Sequence, residues 1–113
     1  MLKISSQQMA ELNRRYNAYY EAQTAGHLCT KYTGWSEQLG YEGVQAFVND
    51  GVKRAERHRI TEPENVTAFL EYCVLLGVGF EQNEEHEWAL DILQTRNLSG
   101  GEKVRRMMEL QPL

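Results

Sequence analysis

The sequence predicts an all-α fold, a compact bundle of about five helices in a single domain over residues 1–113. Apolar residues recur at the three- and four-residue spacing of amphipathic helices. Paired helix-start signals also recur along the chain, and no segment alternates apolar and polar residues over a useful length, as a strand does. A chain of 113 residues with 42% hydrophobic residues suits one globular domain.

The first helix is predicted to begin near Ser6 and to run to about His27 or further. A serine and a glutamine three residues apart open it with the form of a capping box. The segment 30–43, which contains three glycines, is predicted to be a loop or a frayed turn. The capping pair is Ser5 and Gln8, and the apolar stripe is Met9, Leu12, Tyr16 and then Tyr19 or Tyr20.

The second helix, from about Tyr41, has the clearest amphipathic pattern in the chain. Gly51 lies on its apolar stripe, where glycine costs about 1 kcal/mol of helix propensity relative to alanine. We therefore expect another helix to cross closely at Gly51. The apolar stripe comprises Val44, Phe47, Val48, Val52 and Ala55.

The third helix is predicted to start at Thr61-Glu62-Pro63-Glu64, which combines a capping threonine, a proline in the first turn and a glutamate. Gly77 and Gly79 offer the left-handed conformations that end a helix. Its stripe and that of the second helix are predicted to form the centre of the core. The third helix contributes Val66, Phe69, Leu70, Cys73 and Val74.

A shorter fourth helix is predicted over residues 85–94, with acidic residues in its first turn, where the helix dipole favours them. A second capping box, formed by Ser99 and Glu102, predicts a fifth helix that ends before Pro112. The inner side of the fourth helix is predicted to carry Trp88, Ala89, Ile92 and Leu93, and that of the fifth Val104, Met107, Met108 and Leu110.

No motif in the sequence predicts catalysis, a metal site or a cofactor. The histidines do not form ligand pairs, and the consecutive side chains of residues 84–87 point about 100° apart on a helix, so they cannot converge on one ion. Residues 98–102 resemble the signature loop of ABC-type ATPases, but the chain lacks a phosphate-binding loop and a capped helix explains the pattern. We expect a non-enzymatic protein; a small enzyme or regulator whose site assembles only in space is the alternative.

The charge pattern argues against a nucleic-acid partner, because the net charge is −4. Basic residues concentrate in 53–59 and acidic ones in 81–91, which suits contact with a protein or with a second copy of the chain, or reflects two solvated faces. The chain shows no membrane-spanning stretch and no signal peptide, so a cytoplasmic location is expected. Cys29 and Cys73 are therefore expected to be reduced and buried.

Aromatic residues exceed what one stripe per helix can bury, and Trp35 and Phe80 lie in glycine-flanked connections. We therefore predict a protein-binding surface around Trp35, Phe80 and Trp88, because aromatic anchors framed by charge are typical of interfaces. The alternative is that these rings fill the core, with Trp88 beside Ile92 and Phe80 closing the core. The predicted charged rim comprises Glu84, Glu85 and Glu87.

Four stretches, 51–61, 66–69, 76–80 and 88–93, resemble a family of small proteobacterial proteins often encoded beside type VI secretion spike and effector genes. The likeness extends from residues 2–9 to 98–99. The chain departs from the family pattern at His86-Glu87, where a proline commonly precedes the tryptophan, and at Thr33, where a proline often closes the first helix.

The resemblance implies a partner role in toxin delivery. The partner would be a secreted effector or toxin encoded nearby, and the protein would be either an accessory chaperone or adaptor that holds the effector, or an immunity protein that neutralises the toxin. The positions shared with the family are structural, so the resemblance carries over no catalytic residue.

Overall fold

The chain folds into five α-helices in a computed structural model that describes residues 6–77 and 79–113, and the side chains of residues 18–77, 79–80 and 82–113. Every regular element in these ranges is helical, so the predicted all-α fold of about five helices is confirmed. Two short 3₁₀ turns, Phe80–Gln82 and Glu84–His86, precede the fourth helix. The helices are α1 (Ser6–Lys31), α2 (Thr33–Arg57), α3 (Pro63–Leu76), α4 (Glu87–Gln94) and α5 (Gly100–Leu110).

The described residues form two compact units, one up to residue 45 and one from residue 46, and the boundary falls inside α2. The first unit contains α1 and the first part of α2, and its buried residues include Ala25, Leu28 and Val44. The predicted capping serine, Ser5, lies outside the described residues, and the side chains of Met9, Leu12 and Tyr16 lie outside the described side chains. The single-domain organisation stays a prediction.

The segment 30–43 is helical, so the predicted loop is wrong. Tyr32 separates α1 from α2 without interrupting helical bonding, because its amide donates to the Leu28 carbonyl (2.8 Å) and its carbonyl accepts from the Ser36 amide (3.0 Å). The true break is at Gly40, where φ is 74° and ψ is 168°. A positive φ is strained for residues with a Cβ, which explains the glycine.

In the second unit, α2 approaches α3 closely at Gly51. A Cβ added at Gly51 would overlap Leu70 Cδ2, so the close approach predicted at this glycine is confirmed. Most of the residues predicted to form the centre of the core are buried. Phe47, Val52 and Val74 are only half-buried and lie at the edge of the core. Those buried are Val48, Val66, Phe69, Leu70 and Cys73 in this unit, and Val44 in the first unit.

The predicted ends of α3 are confirmed in part. Pro63 occupies the first turn as predicted, but Glu62 and not Thr61 is the N-cap, and its side chain makes no capping hydrogen bond. Gly77 ends the helix with φ of 102°, and its amide donates to the Cys73 carbonyl (3.1 Å). The predicted glycine terminus is therefore confirmed.

α3 and α5 run in the same direction. Gly101, at the start of α5, lies beside Asn65 in the first turn of α3. Near the other end, the Tyr72 hydroxyl donates to the carbonyl of Gln111, just beyond α5 (2.7 Å). The predicted Ser99 cap is confirmed, since the Ser99 side chain accepts from the Glu102 amide (3.2 Å).

Replacing Phe69 by alanine should lower the free energy of unfolding by about 3–5 kcal/mol, because a fully buried ring would leave a cavity. Leu75→Ala is the control, since Leu75 is 50% exposed and its truncation should change stability by less than about 0.5 kcal/mol. Urea denaturation followed by circular dichroism measures both. Equal midpoints for Phe69→Ala and the wild type would contradict this packing.

Candidate protein-binding surfaces

The first candidate surface is the α2 segment 35–42. Trp35 is half-buried, and Leu39, one helical turn later, is 40% exposed. Tyr41, just beyond the break at Gly40, is 70% exposed. Glu37 and Glu42 are exposed in the same segment. The segment therefore combines large apolar side chains in contact with water and acidic groups beside them.

Phe80 cannot serve as an exposed anchor, and its predicted place on a binding surface is wrong. It is 1% exposed, with its ring centroid 5.6 Å from that of Phe69 and 6.4 Å from that of Tyr72. Gly77 and Gly79, with φ of 102° and 81°, turn the chain back so that this ring enters the core. The alternative considered from the sequence, that Phe80 closes the core, is the one observed.

Trp88 marks a second candidate surface. The indole is half-buried and packs edge-on against Tyr72, with ring centroids 6.4 Å apart. The preceding turn is fixed because the Asn83 side chain accepts a hydrogen bond from the Glu85 amide (3.0 Å). The predicted rim is exposed, and we call Trp88 with this rim the Trp88 edge. Its carboxylates are Glu84, Glu85 and Glu87.

Leu39 and Tyr41 were not placed on the predicted binding surface. Leu39 lay in the predicted loop, and Tyr41 was only one of the aromatic residues in excess of the buried stripes. No periodic signal identifies either side chain, because both flank the break at Gly40. The other exposed large hydrophobic residues are Tyr19, Leu75, Met108, Leu110 and Leu113.

The described parts of the chain contain neither a cluster of metal-ligating side chains nor a membrane-spanning helix. No group of three or more His, Cys, Asp or Glu side chains there could hold a metal ion. No helix within 6–77 or 79–113 is long and apolar enough to cross a membrane. Neither Cys29 nor Cys73 forms a disulfide within the described residues; Cys73 is buried as expected, whereas Cys29 is half-buried.

The start of α5 borders a polar cleft of about 470 Å³. Gly100, from the segment that resembles an ATPase signature, packs so closely that a Cβ there would overlap the Arg59 carbonyl oxygen. Packing therefore accounts for this glycine. The cleft is lined by Arg59, Thr61, Glu62, Asn65, Ser99, Gly100, Gly101, Glu102 and Arg105.

Lys103 links α5 to the turn that follows α2. Its side chain is buried, and Nζ donates to the His58 carbonyl (2.9 Å). Burial lowers the pKa of Lys103, and the positive charge of Arg59 lowers it further. The ammonium group thus holds α5 in place with a hydrogen bond to the backbone.

Gly100→Ala should destabilise the protein by about 1–3 kcal/mol, because the added methyl group meets backbone atoms that cannot move aside cheaply. Gly26→Ala is the matched control: Gly26 is exposed in α1 with open space around it. That change should stabilise the helix by up to about 1 kcal/mol. Chemical denaturation of both variants tests this, and equal effects would contradict the contact.

The buried Tyr72 hydroxyl should make the stability of the protein depend on pH in the alkaline range. Burial of the hydroxyl, together with the neighbouring charge of Glu71, raises its pKa from 10.0 to about 12. The unfolded chain therefore loses this proton first, so stability present below pH 10 is lost as pH rises towards 12. Tyr72→Phe should reduce that loss by about 2 kcal/mol. Urea denaturation between pH 9 and 11.5 measures the difference between the variants, and parallel curves would contradict it.

Comparison with known proteins adds no relative: no protein-family model, no curated protein and no solved structure matches this chain. The family resemblance stated from the sequence stays a prediction. The proposed function therefore depends on the exposed side chains of segment 35–42 and of the Trp88 edge.

Proposed function

We propose that this protein is a non-enzymatic binding module that contacts another protein through the α2 segment 35–42. We further propose that it acts as an accessory chaperone or adaptor for an effector of a type VI secretion system. The observation that supports binding is the exposure of Leu39 and Tyr41, 40% and 70%, on either side of the break at Gly40.

Covering these two side chains with an apolar surface of a partner lowers the free energy of the complex. Moving a leucine side chain from water to an apolar environment is worth about 1.5–3 kcal/mol. A tyrosine adds a rigid ring and a hydroxyl that can hydrogen-bond at an interface, which is why tyrosine is frequent among binding hot spots. Two such residues in one short segment supply the anchors of a small interface.

The charges of the segment define the chemistry of the partner. Glu37 and Glu42 are exposed beside the apolar side chains. The partner that fits is a polypeptide segment with apolar residues flanked by lysine or arginine, because rim charges of opposite sign speed encounter and fix register. The Trp88 edge has the same chemistry, an aromatic ring framed by carboxylates.

The role in secretion comes from the family resemblance, and the chemistry of the segment favours a chaperone over an immunity protein. A chaperone covers an apolar delivery segment, whereas an immunity protein often fills a catalytic cleft with charged groups. Leu39 and Tyr41 suit the first task. The segment contains only two carboxylates, those of Glu37 and Glu42, which is fewer than the filling of a cleft with charge requires.

Tyr41→Ala should weaken binding to the effector encoded beside this protein by about 2 kcal/mol, close to 30-fold in Kd, because an exposed anchor is lost. Calorimetric titration with the co-expressed, purified effector measures the change. Tyr19→Ala is the matched control, since Tyr19 is 59% exposed in α1. Both variants should keep the circular dichroism and melting temperature of the wild type.

Equal affinity of Tyr41→Ala and the wild type would refute the segment as the contact. An effector activity assay with and without the protein separates the two roles: a chaperone leaves the bound effector's catalytic activity intact, whereas an immunity protein abolishes it. Failure of the purified pair to associate at micromolar concentration would refute the effector as partner.

A further inference from the structure

The outer face of α5 combines a groove with exposed apolar side chains. The groove has a volume of about 400 Å³ and is lined by Ile92 of α4 and by residues of α5. Leu110 at the groove is 66% exposed, whereas Val104 and Met107 of the same helix are buried. The α5 residues that line the groove are Glu102, Arg105, Arg106, Glu109 and Leu110.

The charges on this face have a distinct order. Arg105 and Arg106 precede Glu109 by one helical turn, and all three are exposed. Within the described part of the chain, none of the three forms a salt bridge. The Glu102 carboxylate is occupied otherwise, because it accepts a hydrogen bond from the Ser99 hydroxyl (3.1 Å). The face therefore presents positive and negative groups that lack close partners.

This order makes the face complementary to itself. When a second α5 lies antiparallel about a two-fold axis between residues 107 and 108, position 106 of each copy faces position 109 of the other. Arg106 then meets Glu109 twice. An axis between residues 105 and 106 instead sets arginine against arginine. The antiparallel arrangement also aligns the helix dipoles favourably.

We propose that α5 is a self-association surface, on which α5 of a second copy packs antiparallel with Arg106 against Glu109. Two-fold symmetric dimers are the commonest assembly, and a two-fold axis requires such a self-complementary patch. One pair of helices covers less area than the roughly 1,600 Å² of a standard interface, so the dimer is weak. This proposal does not depend on the partner proposed for segment 35–42.

Sedimentation velocity of the full chain, from about 5 to about 500 µM, tests the proposal, since small interfaces associate in this range. The wild type should shift from monomer to dimer, and added salt should weaken the dimer. Arg106→Glu and Glu109→Arg should each raise the dimer Kd at least about tenfold, because each places like charges together twice. Glu37→Arg, an exposed charge reversal in α2, is the control and should leave the Kd unchanged.

The decisive experiment mixes the two single variants. Arg106→Glu carries two acidic groups at positions 106 and 109 and Glu109→Arg carries two basic ones, so an equimolar mixture should associate at least as tightly as the wild type. The double variant should regain self-association. Leu110→Asp should abolish it, with circular dichroism confirming that each variant is folded. The proposal is overturned if the wild type is still monomeric at about 500 µM. It is also overturned if the mixture stays monomeric.

Discussion

The ring of Phe69 is the contact on which the second unit depends. It is fully buried, and it packs against Phe80 at 5.6 Å, against the His58 ring at 6.1 Å and beneath the Arg54 guanidinium at 6.0 Å. The end of α2, the middle of α3 and the first 3₁₀ turn therefore meet at one side chain. Phe80 in turn contacts Tyr72, which supports Trp88, so the candidate surface at the Trp88 edge is positioned through this aromatic chain.

Local signals predicted the parts of the fold that local chemistry determines. Ser99 caps α5, Gly77 ends α3, and Gly51 permits the crossing with Leu70. The segment 30–43 was mispredicted because glycine lowers helix propensity by only about 1 kcal/mol. Burial of neighbouring residues such as Val44 outweighs so small a preference, and no local pattern reports that burial.

The candidate site was less predictable than the fold. Trp35 and Phe80 carry the same sequence signal, an aromatic residue near glycines, yet Trp35 is half-buried and Phe80 is 1% exposed. The difference depends on backbone conformation: the positive φ values at residues 77 and 79 direct Phe80 inward. Likewise, Gly40 is the only glycine in segment 30–43 that adopts a positive φ, and the exposed Tyr41 follows it directly.

The two proposed surfaces lie on different units, and together they define how the protein would respond to concentration. A dimer formed through α5 presents two copies of segment 35–42. A partner with two apolar segments then gains affinity from the second contact, because that contact becomes intramolecular, whereas a partner with one segment gains nothing. Since the proposed α5 dimer would be weak, this gain would appear only at high protein concentration. Self-association would thus select for multivalent or locally concentrated partners without changing any contact in segment 35–42.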